Sequence, residues 1–90
     1  RNLVLYCRKN GNRENRIGLT VGVKLGHAVV RNRIRRRLRE IYRLHEVQFL
    51  PGWDIVVVAR ARAVAASYQQ LERSYLALAA EAGILREAEA

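Results

Sequence analysis

"AVVRNRIRRRLREIYRL", residues 28–44, carries seven arginines and one glutamate, yet valine, isoleucine and leucine recur through it at intervals of three and four. On a helix, successive residues turn by about 100°. With Ile34 at zero, Val30, Leu38, Ile41 and His45 fall within about 40° of it and Tyr42 at about 80°. Asn32, Arg35, Arg36, Arg39 and Arg43 gather on the other side, between about 100° and 200°. Repulsion between like charges one turn apart costs a few tenths of a kcal/mol per pair. Burying four aliphatic side chains returns roughly 1.5 to 3 kcal/mol each, an upper value because unfolded chains are already partly compact. The pattern therefore predicts a helix docked through an apolar stripe, with an arginine face left to solvent. Some arginines fall outside that face, Arg37 and Arg31 among them. Arg37, at about 300°, is expected to snorkel along a sheet edge. Arg31, on the opposite flank, is expected to stand free in the first turn.

The flanking segments supply something for the stripe to dock on. "NLVLYCRK" (2–9) reads as a strand with Leu3, Leu5 and Cys7 on one side and Val4, Tyr6 and Arg8 on the other. "NGNREN" (10–15) reads as a turn opening on Asn-Gly. "RIGLTVGVK" (16–24) alternates, with Ile17, Leu19, Val21 and Val23 facing a core and a flat second face bearing Gly18 and Gly22. The two runs are expected to form a hairpin. "WDIVVVAR" (53–60), after a Pro-Gly turn, reads as a strand covered on both faces. Ser67 and Gln70 have capping-box spacing, and Leu71, Tyr75, Leu78 and Ala82 recur at helical spacing up to a stop at Gly83. The tail from Ile84 reads as frayed. The order β-β-α-β-α predicts an α+β two-layer sandwich, helices on a small sheet, and no linker divides the single domain expected over residues 1–90. The chain starts at Arg1, without methionine, and enters an apolar run almost at once, so a further element is expected upstream.

Charge is distributed as unevenly as the helix implies. Of the net charge of +9, residues 1–43 hold 13 lysines and arginines against two acids, and residues 44–90 hold four arginines against six acids. That concentration points to a polyanion, nucleic acid before anionic membrane. Membrane helices of this kind need a large exposed apolar face, and here the core uses it. Arginine suits phosphate, because its planar fork grips oxygens in pairs and stacks on bases. Cys7 is the only cysteine, which fits a reducing compartment, so a cytoplasmic location is expected. No run approaches the ~20 apolar residues of a membrane span.

Nothing in the sequence reads as a catalytic centre of the protein's own. His27 and His45 are separated by the arginine helix, and His45 falls on its stripe, as a core or capping histidine. Cys7 reads as a small buried hydrophobe and Trp53 as a packing anchor. Glu14, Glu40, Glu46 and Asp54 are scattered, and neither zinc-ligand spacing nor a phosphate-binding glycine loop is present.

"GLTVGVKLGHAVVRNRIRRRLREIYR" (18–43) closely resembles the protein subunit of bacterial ribonuclease P, above all through Arg31-Asn32-Arg33-Ile34-Arg35-Arg36 followed by Leu38-Arg39-Glu40. "WDIVVVAR" and "SYQQLE" resemble the same family. The resemblance implies an unusual left-handed β-α-β crossover, of the kind seen in the second domain of a small-subunit ribosomal protein. It implies an additional N-terminal helix packed on the sheet, whose absence would expose apolar surface and favour self-association. It implies a partner, ribonuclease P RNA, that carries out 5′ maturation of precursor tRNA with magnesium ions. The protein is then a subunit of an endoribonuclease without catalytic residues of its own. Arg31, Asn32, Arg33, Arg35, Arg36 and Arg39 match the family's RNA-binding motif and Lys24 its lysine at the strand end; Arg43, on the arginine face of the same helix, is expected to bind RNA with them. Val4 and Tyr6 match the strand face that meets the 5′ leader, and Arg8, on the same face, is expected to bind the leader with them. Tyr6 also makes sense alone, as a stacking surface indifferent to base identity. His27 stands where many members have Asn, a better N-cap; Arg37 replaces a commoner apolar residue and Val23 a frequent lysine. Two other readings stay open at this point: a structural RNA-binding protein of ribosomal type, and a DNA-binding module, weakened by the lack of a dimer element or second reading helix.

Overall fold

The computed structural model describes residues 1–86. Its elements are β1 (Leu3–Lys9), β2 (Arg16–Thr20), α1 (Ala28–His45), β3 (Trp53–Ala59) and α2 (Tyr68–Glu81), with short 3-10 turns at Val23–Leu25, Glu46–Gln48 and Ala61–Ala63. The predicted order and α+β class hold. The hairpin does not: the sheet order is β1-β3-β2. β1 pairs with β3 antiparallel and β2 pairs with β3 in parallel. β3, the most β-branched run, takes the centre, where neighbours on both sides satisfy its backbone. A parallel neighbour needs a crossover of a dozen or more residues, and α1 provides it.

One face of the sheet carries Leu3, Leu5, Cys7, Ile17, Leu19, Ile55, Val57 and Ala59, and both helices close over it. From α1 come Ile34, Leu38 and Ile41, all buried; from α2 come Leu71, Tyr75 and Ala79. The α1 stripe is thus as predicted, with Val30, Tyr42 and His45 half-buried at its margins. In α2 the third buried residue is Ala79; Leu78 is half-buried and Ala82 is exposed at the C-cap. Four turns of a straight helix drift off a strict three-or-four count, and Ala82 lies past the last contact. Cys7 is half-buried, because it sits at the margin of the sheet's inner face.

The opposite face has no helix over it among the described residues. Val56, in the middle of β3, is 39% exposed and Val58 half-buried, so β3 is covered on one face only. β2 also ends sooner than alternation implied. Val21 is buried, but the chain then turns, and Val23 is 74% exposed. A 3-10 turn after Thr20 is what re-aims the chain into α1.

Local signals behave as expected at the helix ends. His27 makes no side-chain cap to α1, whereas Ser67 and Gln70 form the reciprocal capping box at 3.1 and 2.8 Å. Gly83, at φ 75°, ends α2. The segment after it is anchored where fraying was expected. Ile84 is buried, its carbonyl accepts from Leu50 N–H at 2.8 Å, and Arg86 N–H donates to the Gln48 carbonyl at 2.7 Å. An apolar pair directly after the stop, Ile84-Leu85, is the signal that a charge-weighted reading of the tail passes over. The remainder of that expectation falls on residues 87–90, outside the described ones.

Leu38→Ala, which opens a void under α1, is expected to cost about 2 to 5 kcal/mol. Tyr75→Phe is expected to stay within about 1 kcal/mol of the wild type, because a buried hydroxyl without a partner contributes little, and none bonds Tyr75 Oη among the described residues. Urea unfolding followed by circular dichroism reads both.

Candidate nucleic-acid interface

The buried stripe fixes how α1 is rotated, and therefore where its arginines point. Arg33, Arg36, Arg39 and Arg43 are exposed, and among the described residues none has a carboxylate within ion-pair distance. Asn32 is exposed and its Oδ1 accepts from Arg35 Nη1 at 3.1 Å. Lys24, in the turn before the helix, is exposed. These groups present a surface of donors that no carboxylate contacts among the described residues.

Three arginines are placed differently from the wheel's expectation. Arg35 is half-buried; besides Asn32 it reaches the Val21 carbonyl at 3.5 Å. Its stem lies at the border of the stripe, so packing draws it in. Arg31 is half-buried, with Nε shielded and unpartnered among the described residues, because the turn after β2 folds against the first turn of α1. Arg37 reaches the Ala66 carbonyl at 3.4 Å, so it snorkels toward the loop before α2 and not along the sheet edge. The sequence could not place that loop. His45 is half-buried and its Nε2 lies 2.9 Å from Glu72 Oε2, tying α1 to α2.

α1 runs back along β2. Arg35 touches the carbonyl just past the end of β2, and Tyr42 Oη accepts from Asn15 Nδ2 at 3.2 Å just before its start. Asn15 also donates to the Leu50 carbonyl at 3.0 Å and accepts from Trp53 N–H at 2.7 Å. One amide thereby fixes β2, α1 and β3 to one another. Gly52 sits beside it at φ 90°, where a Cβ would come within 2.9 Å of the Asn12 carbonyl.

The open sheet face is ruled into rows by the strand register: Val4, Val58 and Thr20; then Tyr6, Val56 and Gly18; then Arg8, Asp54 and Arg16. Tyr6 is 61% exposed. A Cβ at Gly18 would meet Val56 at an ordinary 3.6 Å, so the fold does not require glycine there, and its absence of side chain leaves the floor beside Tyr6 bare. Sequence reasoning placed Val4, Tyr6 and Arg8 on this face. It missed Arg16 and Asp54, because their adjacency exists only in a parallel β2–β3 pairing. Arg16 gives Nε and Nη2 to Asp54 at 3.0 and 3.2 Å, and Asn10 Nδ2 donates to the same carboxylate at 3.0 Å. The hydrogen bonds from Arg16, then Asn10, hold the Asp54 carboxyl below the usual carboxylate range, with the positive charge of Arg16 and Arg8 adding to the pull. Trp53 is half-buried, with Lys9 Nζ 5.9 Å from its ring centre. Among the described residues no group of His, Cys, Asp and Glu is arranged to hold a metal ion, and no helix is long and apolar enough to cross a membrane.

Comparison with known proteins converges on one family. The family model described as Ribonuclease P matches residues 1–83. The ribonuclease P protein component of Natranaerobius thermophilus is 36% identical over 85 residues, covering 94% of this chain and 74% of its own length. That of Roseiflexus castenholzii is 45% identical over 87 residues, covering 96% and 71%. Among solved structures, the Staphylococcus aureus RNase P protein superposes with a TM-score of 0.87 at 33% identity, covering 96% of this chain and 79% of that one. The Thermotoga maritima RNase P protein in complex with 1-(4-fluorophenyl)-2-thiourea gives 0.80 at 32%, covering 86% and 76%.

Two outcomes test this geometry. If four to five phosphates meet the arginine face, log affinity for RNA falls with log salt at a slope of roughly −3 to −4, and Arg36→Ala with Arg39→Ala flattens it by about 1.5 at an unchanged melting temperature. A flat wild-type response would place binding elsewhere. For Asp54, the folded-state pKa is depressed, so its stabilising contribution is complete above the unfolded value near 4 and is lost as pH falls through the folded value. Asp54→Asn is therefore expected to lower stability at neutral pH and to flatten the acid limb of the stability profile, read by thermal melts below pH 5.

Proposed function

This chain belongs to the ribonuclease P protein family, and we propose from that premise how it serves there: α1 docks on ribonuclease P RNA while the open sheet face receives the 5′ leader of precursor tRNA. It is the protein subunit of an endoribonuclease of tRNA processing. The observation that carries the proposed division of labour is a pair of exposed surfaces: an arginine face on α1, which runs along β2 and has no carboxylate partner among the described residues, and, on the sheet face that α1 leaves uncovered, Tyr6.

The chemistry of each surface fits its partner. Folded RNA offers dense phosphate, and Arg33, Arg36, Arg39 and Arg43, with Lys24 and Asn32, offer donors on a rigid rod. Phosphate contacts of this kind fix register and orientation and read no sequence. A leader varies in sequence from one tRNA to the next, and a ring such as Tyr6, with Val4 beside it, accepts any base. Arg8 stands at the end of the same strand face. Arg31 and Arg35, drawn toward the protein, help to hold the motif's backbone where RNA meets it. Magnesium ions, held by the RNA, supply the hydrolytic chemistry when bound; the residues described here bind and orient. The exposed Tyr6 and Val56 are also the surface through which two copies would associate in the absence of RNA. A cytoplasmic location follows from the same reading, since tRNA is matured there.

The test is reconstitution. Mixed with ribonuclease P RNA and precursor tRNA at low magnesium, the protein is expected to stimulate 5′ cleavage, and Arg36→Ala with Arg39→Ala to abolish most of the stimulation. Binding of the RNA without stimulation would point to a purely structural RNA-binding role, and preference for duplex DNA would overturn the reading.

A further inference from the structure

The charged row at the end of the open sheet face is not explained by the arginine helix. Arg8, Asp54 and Arg16 lie side by side across β1, β3 and β2. Asp54 accepts two hydrogen bonds from Arg16 and one from Asn10, and Arg8 Nη2 stands 3.6 Å from its Oδ2. The Asp54 side chain is 20% exposed, whereas those of Arg8 and Arg16 are 82% and 71% exposed. One negative charge is thus set down between two positive ones that rise above it. The row keeps a positive surplus, and Arg16 Nη1 and the guanidinium of Arg8 make no other hydrogen bond among the described residues. Asn10 is braced in turn: its Oδ1 accepts from Asn12 N–H at 2.7 Å and its Nδ2 donates to the Glu14 carbonyl at 3.0 Å.

We propose that this row is an arginine clamp for the backbone of single-stranded RNA, with Asp54 as the positioning residue that holds Arg16 and Arg8 in place. Tyr6, Val56 and bare Gly18 form the adjacent row, roughly 7 Å away along the strands. A base stacked on Tyr6 puts its neighbouring phosphate over the two guanidinium forks, which bind phosphate oxygens in pairs. Only a base whose face is free can cover Tyr6, which selects single strand over duplex. The inference rests on the leader's lying on this face and narrows it: the leader's path acquires a fixed end at Arg8 and Arg16.

Counting charge alone gives the opposite expectation, since an acid beside a phosphate repels it and removing Asp54 would then tighten binding. The experiment compares precursor tRNA carrying a leader with leaderless tRNA, each titrated against the protein assembled with ribonuclease P RNA. Asp54→Ala and Arg16→Gln are each expected to reduce the preference for the leader-bearing form by roughly fivefold, the scale of one exposed charged contact. Asp54→Asn, which keeps one acceptor oxygen and loses the other, falls between Asp54→Ala and the wild type. Arg16→Gln also lowers the salt slope for the leader-bearing form by about 0.7. Melting curves check folding; should Asp54→Ala be unfolded, Arg16→Gln and Asp54→Asn carry the comparison. A wild-type leader preference that survives these variants, or rises in Asp54→Ala, overturns the clamp alone. A wild-type protein that confers no leader preference overturns the leader assignment and the clamp with it.

Discussion

Ile34, Leu38 and Ile41 are removed from water against the inner face of the sheet, and this burial fixes the rotation of α1 about its own axis. Every arginine on the helix is aimed by that rotation. Burying three such side chains is worth roughly 5 to 9 kcal/mol at most. The like-charge pairs four residues apart, Arg31 with Arg35, Arg33 with Arg37, Arg35 with Arg39 and Arg39 with Arg43, each cost a few tenths of a kcal/mol. The apolar term dominates, so the protein can hold a repulsive surface in readiness for an anion. Because the arginines of the open face add nothing to that burial, stability and binding are separable there. Arg31 and Arg35 are the exceptions, since both are partly enclosed.

The second constraint is the central position of β3. Placing it between β1 and β2 brings residues from three distant segments into shared rows. Asp54 meets Arg16 across 38 positions of sequence and Asn10 across 44. Asn15 then locks β2, α1 and β3 with three hydrogen bonds from one side chain. The open face is therefore a built surface, its row order set by strand register and not by flexible loops.

What was legible in the sequence follows from what is local. The α1 stripe, the weak cap at His27, the capping box at Ser67 and the stop at Gly83 depend on residues within one or two turns, and each is found. The β1–β2 hairpin was misread because alternation reports a strand's faces and not its neighbours. The long crossover through α1, which makes β2 parallel to β3, is a property of the whole chain. The buried Ile84, the inward lean of Arg31 and the reach of Arg37 to Ala66 depend in the same way on segments brought together only by folding. Of the candidate interface, the exposed arginines of α1 and the Val4–Tyr6–Arg8 face were legible, since each lies on one regular element. Arg16 and Asp54 were not, since neither has meaning without the other.

The placement of acids completes the physical logic. Among the described residues, the basic half of the chain contains Glu14 and Glu40, both exposed and neither in an ion pair. Among the described residues, Asp54, from the other half, is the acid that forms ion pairs with arginines of the basic half, and it does so at the end of the sheet away from the start of α1. An acid that merely offset charge would serve best among the arginines of α1, where repulsion is greatest, yet Glu40, which stands on that helix, pairs with none of them among the described residues. Asp54 instead bonds one arginine through two atoms and lies beside a second. A carboxylate used in this way orders side chains whose free ends still carry net positive charge. The two basic surfaces thus differ in kind: on α1 the arginines are separated by helical geometry, and on the sheet they are held together by an acid. The first suits a large, fixed array of phosphates, and the second a single phosphate whose position beside Tyr6 matters.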